Sequence, residues 1–254
     1  MAITPCHATL RFYAELNDHL PPQERYRTVE KEFLVPTAVK DLIESIGVPH
    51  VEVDLILVNG ESVAFSRLIQ DGDRVAVYPV FEALDITPVV RLRPQPLRDP
   101  KFVLDVHLGR LAGYLRMLGF DVLYNNCARD PELVRISADL HRILLTRDRG
   151  LLKHSAVTHG YWLRETGSRR QVAEVVRRFE LGRRIAPFTR CMVCNAPLRL
   201  AAKADVLGRV PPRVARWCDQ FQECAGCGRV YWEGSHWRRM REWIAELSGM
   251  QDAG

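Results

Sequence analysis

Alternating apolar and polar residues near the start of the chain predict a small domain over residues 1–86. The stretch ATLRFYAEL alternates as a half-buried strand does. A predicted helix begins at Pro36-Thr37, ends at Gly47 and has an apolar face made of Val39, Leu42, Ile43 and Ile46. Two further strands flank the Asn59-Gly60 turn, and a closing strand, RVAVYPV, follows Gly72-Asp73. A strand, a helix, a hairpin and a closing strand suit a β-grasp domain.

Strands and helices alternate in the middle of the chain, over residues 101–185. The apolar stretches FVLDV, DVLYN and RILLT predict strands, and LGRLAGYLRMLG and PELVRISADL predict the helices between them. Short connections between such elements imply a parallel sheet. Residues 87–100 are predicted to be an extended linker, because a continuous helix or central strand is excluded by Pro88, Pro94, Pro96 and Pro100.

Three aspartates lie next to the ends of these elements, and ligands bind beyond the carboxyl ends of the strands in a parallel sheet. Asp105 and Asp148 come at the ends of predicted strands, and Asp130 comes just before a helix. Converging carboxylates repel one another unless cations relieve the repulsion, and oxygen ligands suit one or two Mg²⁺ or Mn²⁺ ions. Such a site serves phosphodiester hydrolysis. The alternative is that the three aspartates cap helices or hold turns.

Basic residues surround these aspartates in the sequence. They are Arg110, Arg116, Arg147, Arg149 and Lys153. They are candidates for sequence-independent contacts with backbone phosphates, and above all Arg110, Arg147, Arg149 and Lys153 are expected to bind nucleic acid. Solvated or salt-bridged side chains are the alternative for each of them.

Two cysteine pairs predict a structural metal site over residues 186–254. Cys191-x-x-Cys194 and Cys224-x-x-Cys227 are separated by 29 residues, and four thiolates complete a tetrahedral Zn²⁺ site with no open position. One zinc ion is expected, since paired disulfides are disfavoured in a reducing compartment. A helix is predicted after Ser235. Nearby aromatic residues either stack on unpaired bases or form the core of this small region; they are Trp217, Phe221, Tyr231, Trp232 and Trp237.

Charge is unevenly distributed within a formal net charge of +5. Residues 1–90 carry 7 Lys/Arg and 14 Asp/Glu, whereas residues 91–254 carry 29 and 17. The basic part favours a polyanionic partner, and the acidic part either folds back over the basic face or docks independently. A content of 47% hydrophobic residues excludes disorder as the main state. No apolar run reaches bilayer length and the N-terminus lacks a secretory pattern, so no membrane association and a cytoplasmic location are expected.

Several stretches resemble a known family. FVLDVHLGRLAGYLRMLGFDVLY, DPELVRISADLHRILLTRDRGLLK, RCMVCNAPL and CGRVYWEGSHWRRM are similar to the Mut-seven C-terminal RNase domain family, over roughly residues 101–245. The resemblance implies a PIN-like nuclease fold followed by a zinc ribbon. It also implies that Asp105, Asp130 and Asp148 are the catalytic acids, with Glu132 or Asp121 as a candidate fourth acid, and that RNA is the substrate.

The front of the chain resembles the ubiquitin-like ThiS/MoaD sulfur carriers in VKDLIESIGVPH, LILVNGESV and DGDRVAVYPVFE. Those carriers end in Gly-Gly, whereas this chain continues through Pro79-Val80-Phe81-Glu82 into the linker, so a docking or regulatory role with a protein partner is expected instead of sulfur transfer. The expected fold is therefore a multidomain α/β and α+β protein. The expected function is a metal-dependent ribonuclease acting on single-stranded or structured cellular RNA, and the alternative is a non-catalytic RNA-binding adaptor.

Overall fold

A computed structural model of the chain describes residues 5–79, 92 and 99–249. Most of the predicted linker over residues 87–100 lies outside the described residues. The chain divides into two compact units, one made of Met1–Arg98 and Asp130–Trp162 and the other of Asp99–Arg129 and Leu163–Gly254. Each unit is therefore built from two separate stretches of the sequence.

The front of the first unit is a mixed five-stranded sheet with one helix, and it confirms the β-grasp expectation. The sheet has the order β2-β1-β7-β4-β5, in which β1 and β7 are parallel and the other neighbours are antiparallel. Its elements, together with a short β3–β6 pair, are β1 (Cys6–Phe12), β2 (Thr28–Phe33), β3 (Thr37–Ala38), α1 (Val39–Ile46), β4 (Val53–Val58), β5 (Glu61–Ser62), β6 (Leu68–Ile69) and β7 (Arg74–Pro79).

Two local signals in this domain act as the sequence predicts. Helix α1 buries an apolar face that includes Val39, Leu42 and Ile43. It ends because Gly47 adopts a left-handed conformation, with φ of 115°, which residues with a Cβ rarely reach. The β4–β5 hairpin turns through Asn59 and Gly60, both with positive φ, and this is the pattern of a type I′ turn.

The middle of the chain confirms the predicted alternation of strands and helices. Four parallel strands make the central sheet, in which β8 pairs with β9 and β10 pairs with β11. The sequence predicted the first three of these strands and the helices α2 and α3, but not β11, α4 or α5. The elements are β8 (Phe102–Leu104), α2 (Gly109–Met117), β9 (Val122–Tyr124), α3 (Asp130–Asp139), β10 (Ile143–Thr146), α4 (Arg149–Leu152), β11 (Gly160–Trp162) and α5 (Ser168–Arg178).

The end of the second unit is a three-stranded antiparallel sheet, β12-β13-β14, followed by a helix. Two short helices lie between its first and second strands. The elements are β12 (Leu198–Ala201), α6 (Lys203–Val206), α7 (Pro212–Trp217), β13 (Phe221–Cys224), β14 (Val230–Trp232) and α8 (Ser235–Gly249). The helix predicted after Ser235 is confirmed, with Met240, Ile244 and Leu247 buried. Within the described ranges, no helix combines the length and apolarity needed to cross a bilayer.

Candidate functional site

The two cysteine pairs come together as predicted. The four sulfur atoms lie within 4.8 Å of one another, with 3.7 Å between Cys191 and Cys227 and 3.2 Å between Cys194 and Cys224. A disulfide bond would need about 2.05 Å. A tetrahedral zinc ion with Zn–S distances of about 2.3 Å separates its sulfurs by about 3.8 Å. The cluster therefore fits one closed, tetrahedral thiolate metal site.

Hydrogen bonds and burial act differently on the individual thiols of this cluster. The Tyr231 hydroxyl lies 3.1 Å from the Cys191 sulfur, and the backbone amides of Gly226 and Cys227 donate to the Cys224 sulfur at 3.3 and 3.4 Å. Burial raises the pKa of the Cys191 thiol, but its hydrogen bonds outweigh this and bring the pKa to about 6. A backbone hydrogen bond lowers the pKa of the Cys194 thiol, but burial and the neighbouring cysteine thiols outweigh it and raise this pKa to about 12. A metal ion must therefore displace the proton of Cys194, whereas Cys191 is already ionised near neutral pH.

The turn over residues 191–195, called here the first cysteine knuckle, is hydrogen-bonded to the α2–β9 region through Arg116 and Asp121. Arg116 is buried and donates to the Val122 carbonyl through two nitrogens, at 3.0 and 2.8 Å, and to the Val193 carbonyl at 2.8 Å. The Asp121 carboxylate accepts a hydrogen bond from the side-chain nitrogen of Asn195 at 2.9 Å. The side-chain oxygen of Asn195 accepts one from Val122 N at 3.0 Å. Arg116 is thus structural rather than a phosphate ligand.

Asp105 is a buried carboxylate at the end of β8. It is 8% exposed and precedes a short 3₁₀ turn, Val106–Leu108, that its side chain does not cap. The turn is closed by Leu108 N, which donates to the Asp105 backbone carbonyl at 2.9 Å, and by the Tyr124 hydroxyl, which donates to the Val106 carbonyl at 2.8 Å. A Cβ at Gly109 would come within 2.7 Å of that hydroxyl, so a close approach requires glycine there. The capping alternative therefore finds no support at Asp105.

Asp130 and Asp148 lie in the first unit, and both are exposed. Helix α3 begins at Asp130, with Glu132 in its first turn. Asp148 follows β10 and caps α4, because one carboxylate oxygen accepts from Gly150 N at 2.7 Å. Each acid thus has the position along the chain that the sequence predicted. Their convergence on a common metal site stays a prediction.

The basic candidates differ in their surroundings. Arg110 is exposed on α2, and Arg147 is exposed next to Asp148. Arg149 and Lys153 instead contact the β-grasp domain: Arg149 donates to the His19 carbonyl at 2.8 Å, and the Lys153 ammonium donates to the Glu44 carbonyl. Two of the four predicted phosphate contacts therefore hold the first unit together in this structure.

A buried polar cluster completes this intramolecular contact, and sequence reasoning missed it. The Glu52 carboxylate accepts from Trp162 N at 2.7 Å and lies 2.9 Å from His19 Nε2, with both side chains almost fully buried. His50 Nε2 lies 3.2 Å from the Val157 carbonyl. Burial lowers the pKa of His50, although its partner Glu44 raises it. These residues form no motif along the chain, so only the tertiary structure identifies them.

Comparison with protein families assigns both parts of the chain. The Mut7-C RNAse domain matches residues 100–244, which is more than half of the chain, and the Mut7-C ubiquitin domain matches residues 6–85. The chain belongs to the Mut7-C RNase domain family. The Mut7-C match includes all three acids and all four cysteines. No curated protein matches the chain.

Proposed function

We propose that this protein is a metal-dependent ribonuclease that hydrolyses RNA phosphodiester bonds through Asp105, Asp130 and Asp148. The observation that carries the proposal is the buried Asp105 carboxylate, which follows a strand of the parallel sheet, does not cap its turn and lies within the match to an RNase domain. One or two bound Mg²⁺ or Mn²⁺ ions would activate water and stabilise the leaving oxygen. The three carboxylates supply the oxygen ligands that these ions prefer.

The remaining site residues have supporting roles in this proposal. Arg110 and Arg147 are exposed and follow Asp105 or precede Asp148 closely in the sequence, and in this proposal they bind backbone phosphates on either side of the scissile bond. Arg149 and Lys153 reach a phosphate only with donors left over from their contacts with the β-grasp domain. The four cysteines hold one structural zinc ion, which the sulfur spacing supports.

A non-catalytic RNA-binding adaptor is the second candidate function. The cap that Asp148 provides for α4 favours it, because a capping aspartate has a structural reason to be present. In this case, RNA would bind the basic residues and remain intact.

Substitution of the acids by asparagine separates the two functions. Asparagine caps a helix about as well as aspartate does but lacks the charge that a divalent ion requires. We therefore expect Asp105→Asn and Asp148→Asn to keep the fold and lose cleavage of single-stranded RNA in Mg²⁺ or Mn²⁺. The matched control is Asp139→Asn, since Asp139 is an exposed α3 residue whose ion pair with Arg135 spans 4.0 Å and contributes little.

The assay has two outcomes that count against the ribonuclease. Wild-type protein that binds RNA but leaves it intact in both metals would support the adaptor. Cleavage that survives in Asp105→Asn at the wild-type rate would show that a contaminating nuclease or another site is responsible. Cleavage that survives only in Asp148→Asn would reduce Asp148 to a helix cap and leave Asp105 in place.

A further inference from the structure

An aromatic groove in the second unit lies beside the cysteine cluster. Its volume is about 550 Å³, which is in the range of small-ligand sites. The sheet β12-β13-β14, the loop over residues 187–190 and the start of α8 form its walls. The side chains that matter here are Phe188, Arg190, Arg229, Tyr231, Trp232 and Trp237.

One of these aromatic residues, Phe188, has a strained backbone conformation. Phe188 has φ of 59°, in the left-handed region where a bulky residue costs about 1–2 kcal/mol. Its backbone N–H donates to the Met117 carbonyl at 2.8 Å, and Ala186 N donates to the Leu118 carbonyl at 2.9 Å. Gly119 permits this approach, because a Cβ there would collide with the Ala186 carbonyl oxygen. The loop is thus fixed on the end of α2.

Core packing does not explain the strain at Phe188, since its side chain is only half-buried. The ring stacks instead on Trp237 in the groove wall, with a centroid distance of 5.0 Å and an interplanar angle of 28°. Strained residues that remain in a fold cluster at binding sites. The loop therefore presents an aromatic surface to whatever enters the groove.

Cationic groups accompany the aromatic surface. The Arg241 guanidinium lies 5.1 Å from the centre of the Trp237 ring. Arg190 lines the groove, and its guanidinium lies 3.6 Å from the Asp121 carboxylate and donates to the backbone carbonyl of Asn195 at 3.0 Å. Arg229 is exposed, and residues 186–249 carry ten Lys/Arg against six Asp/Glu. Aromatic faces next to guanidinium groups are the surroundings in which unpaired bases and their phosphates bind.

We propose that this groove binds an unpaired nucleobase of a single-stranded RNA, with Phe188 and Trp237 as the stacking surface and Arg229 as a phosphate contact. The proposal rests on the proposed function in taking RNA as the ligand. It adds a site whose lining includes Glu233 but none of the proposed catalytic residues Asp105, Asp130 and Asp148. An apolar protein segment is the competing occupant.

The test is the affinity of the full-length Asp105→Asn protein, which does not consume its ligand, for a fluorescently labelled oligouridylate. Trp237→Leu and Phe188→Leu are each expected to weaken binding by about tenfold, in line with one lost stacking contact. Trp217→Leu is the matched control, because Trp217 is 49% exposed and does not line the groove. An abasic oligomer with the same phosphates should bind weakly and respond to neither groove variant.

A charge variant keeps the test decisive if the aromatic variants fold poorly. Arg229→Gln should weaken binding and reduce the salt dependence of the affinity by about one phosphate contact, whereas Arg213→Gln, an exposed arginine on α7, should have less effect. Unchanged oligouridylate affinity in Trp237→Leu, Phe188→Leu and Arg229→Gln would overturn the proposal and leave a protein segment as the occupant. Normal groove-dependent binding by a wild-type protein that never cleaves RNA would refute the ribonuclease alone.

Discussion

At the scale of single residues, the metal cluster and its support are the best-defined chemistry in the molecule. Four sulfurs come together at Cys191, Cys194, Cys224 and Cys227. Arg116 stabilises the first cysteine knuckle by donating a hydrogen bond to the Val193 carbonyl. The C-x-x-C spacing made the cluster predictable, because each ligand pair is local in the sequence. The burial of Arg116 was not predictable, because its partner carbonyl at Val193 is 77 residues away.

Replacing one ligand is expected to remove the metal. In Cys194→Ser, three thiolates no longer close a tetrahedral site, and structural zinc contributes directly to folding free energy. If the free energy of unfolding fell by about 3 kcal/mol, the melting temperature would fall by about 6–12 °C. Elemental analysis and thermal melting check this against Cys127→Ser, a substitution of an exposed thiol outside the cluster. Zinc content and melting temperature equal to those of the wild type would exclude a structural site.

At the scale of elements, periodicity predicts those that bury one strongly apolar face. Strand β1, helix α1 and the β4–β5 hairpin are confirmed on this basis. Strand β2 was missed because TVEKEF is largely polar and pairs at the edge of the sheet, where only Phe33 is buried. Periodicity also does not reveal which neighbour covers an element, so the contact between the β-grasp domain and residues 149–162 remained hidden.

The Glu52 contact is expected to stabilise the segment that surrounds Asp148. Glu52 binds Trp162 N, and the Trp162 indole donates to the Arg147 carbonyl at 3.2 Å, so the carboxylate is connected to the turn before Asp148. Glu52→Ala leaves the backbone amide of Trp162 without this partner, at a cost of about 1–3 kcal/mol. Hydrogen exchange should accelerate over residues 146–162.

Two variants provide the comparison for Glu52→Ala. Glu52→Gln keeps an oxygen that accepts from Trp162 N, so it should exchange more slowly than the alanine variant. Glu30→Ala removes an exposed carboxylate from the same domain and should leave exchange at the wild-type rate. If all three variants exchanged like wild type, Glu52 would have no part in holding the turn.

At the scale of the whole molecule, an acidic ubiquitin-like domain precedes a basic RNase domain. The structure places Arg149 and Lys153 against the acidic domain, through the carbonyls of His19 and Glu44. That contact is compatible with the expectation that the front domain folds back on basic residues, and inhibition of RNA binding stays a prediction. The family could be identified from the sequence because its acids and cysteines lie in local motifs. The distances between the acids, on which metal binding depends, are set by tertiary structure and could not be predicted in this way.

The most direct test of the ribonuclease account is the location of Mn²⁺ in crystals of the full chain, measured by anomalous diffraction at the manganese edge. We predict one or two peaks at about 2.1 Å from carboxylate oxygens of Asp105, Asp130 and Asp148, in addition to zinc at the four cysteines. The peaks should disappear in Asp105→Asn crystals while the zinc remains. Zinc at the cysteines with no manganese at any of the three carboxylates would contradict the metal-dependent site on which the account depends.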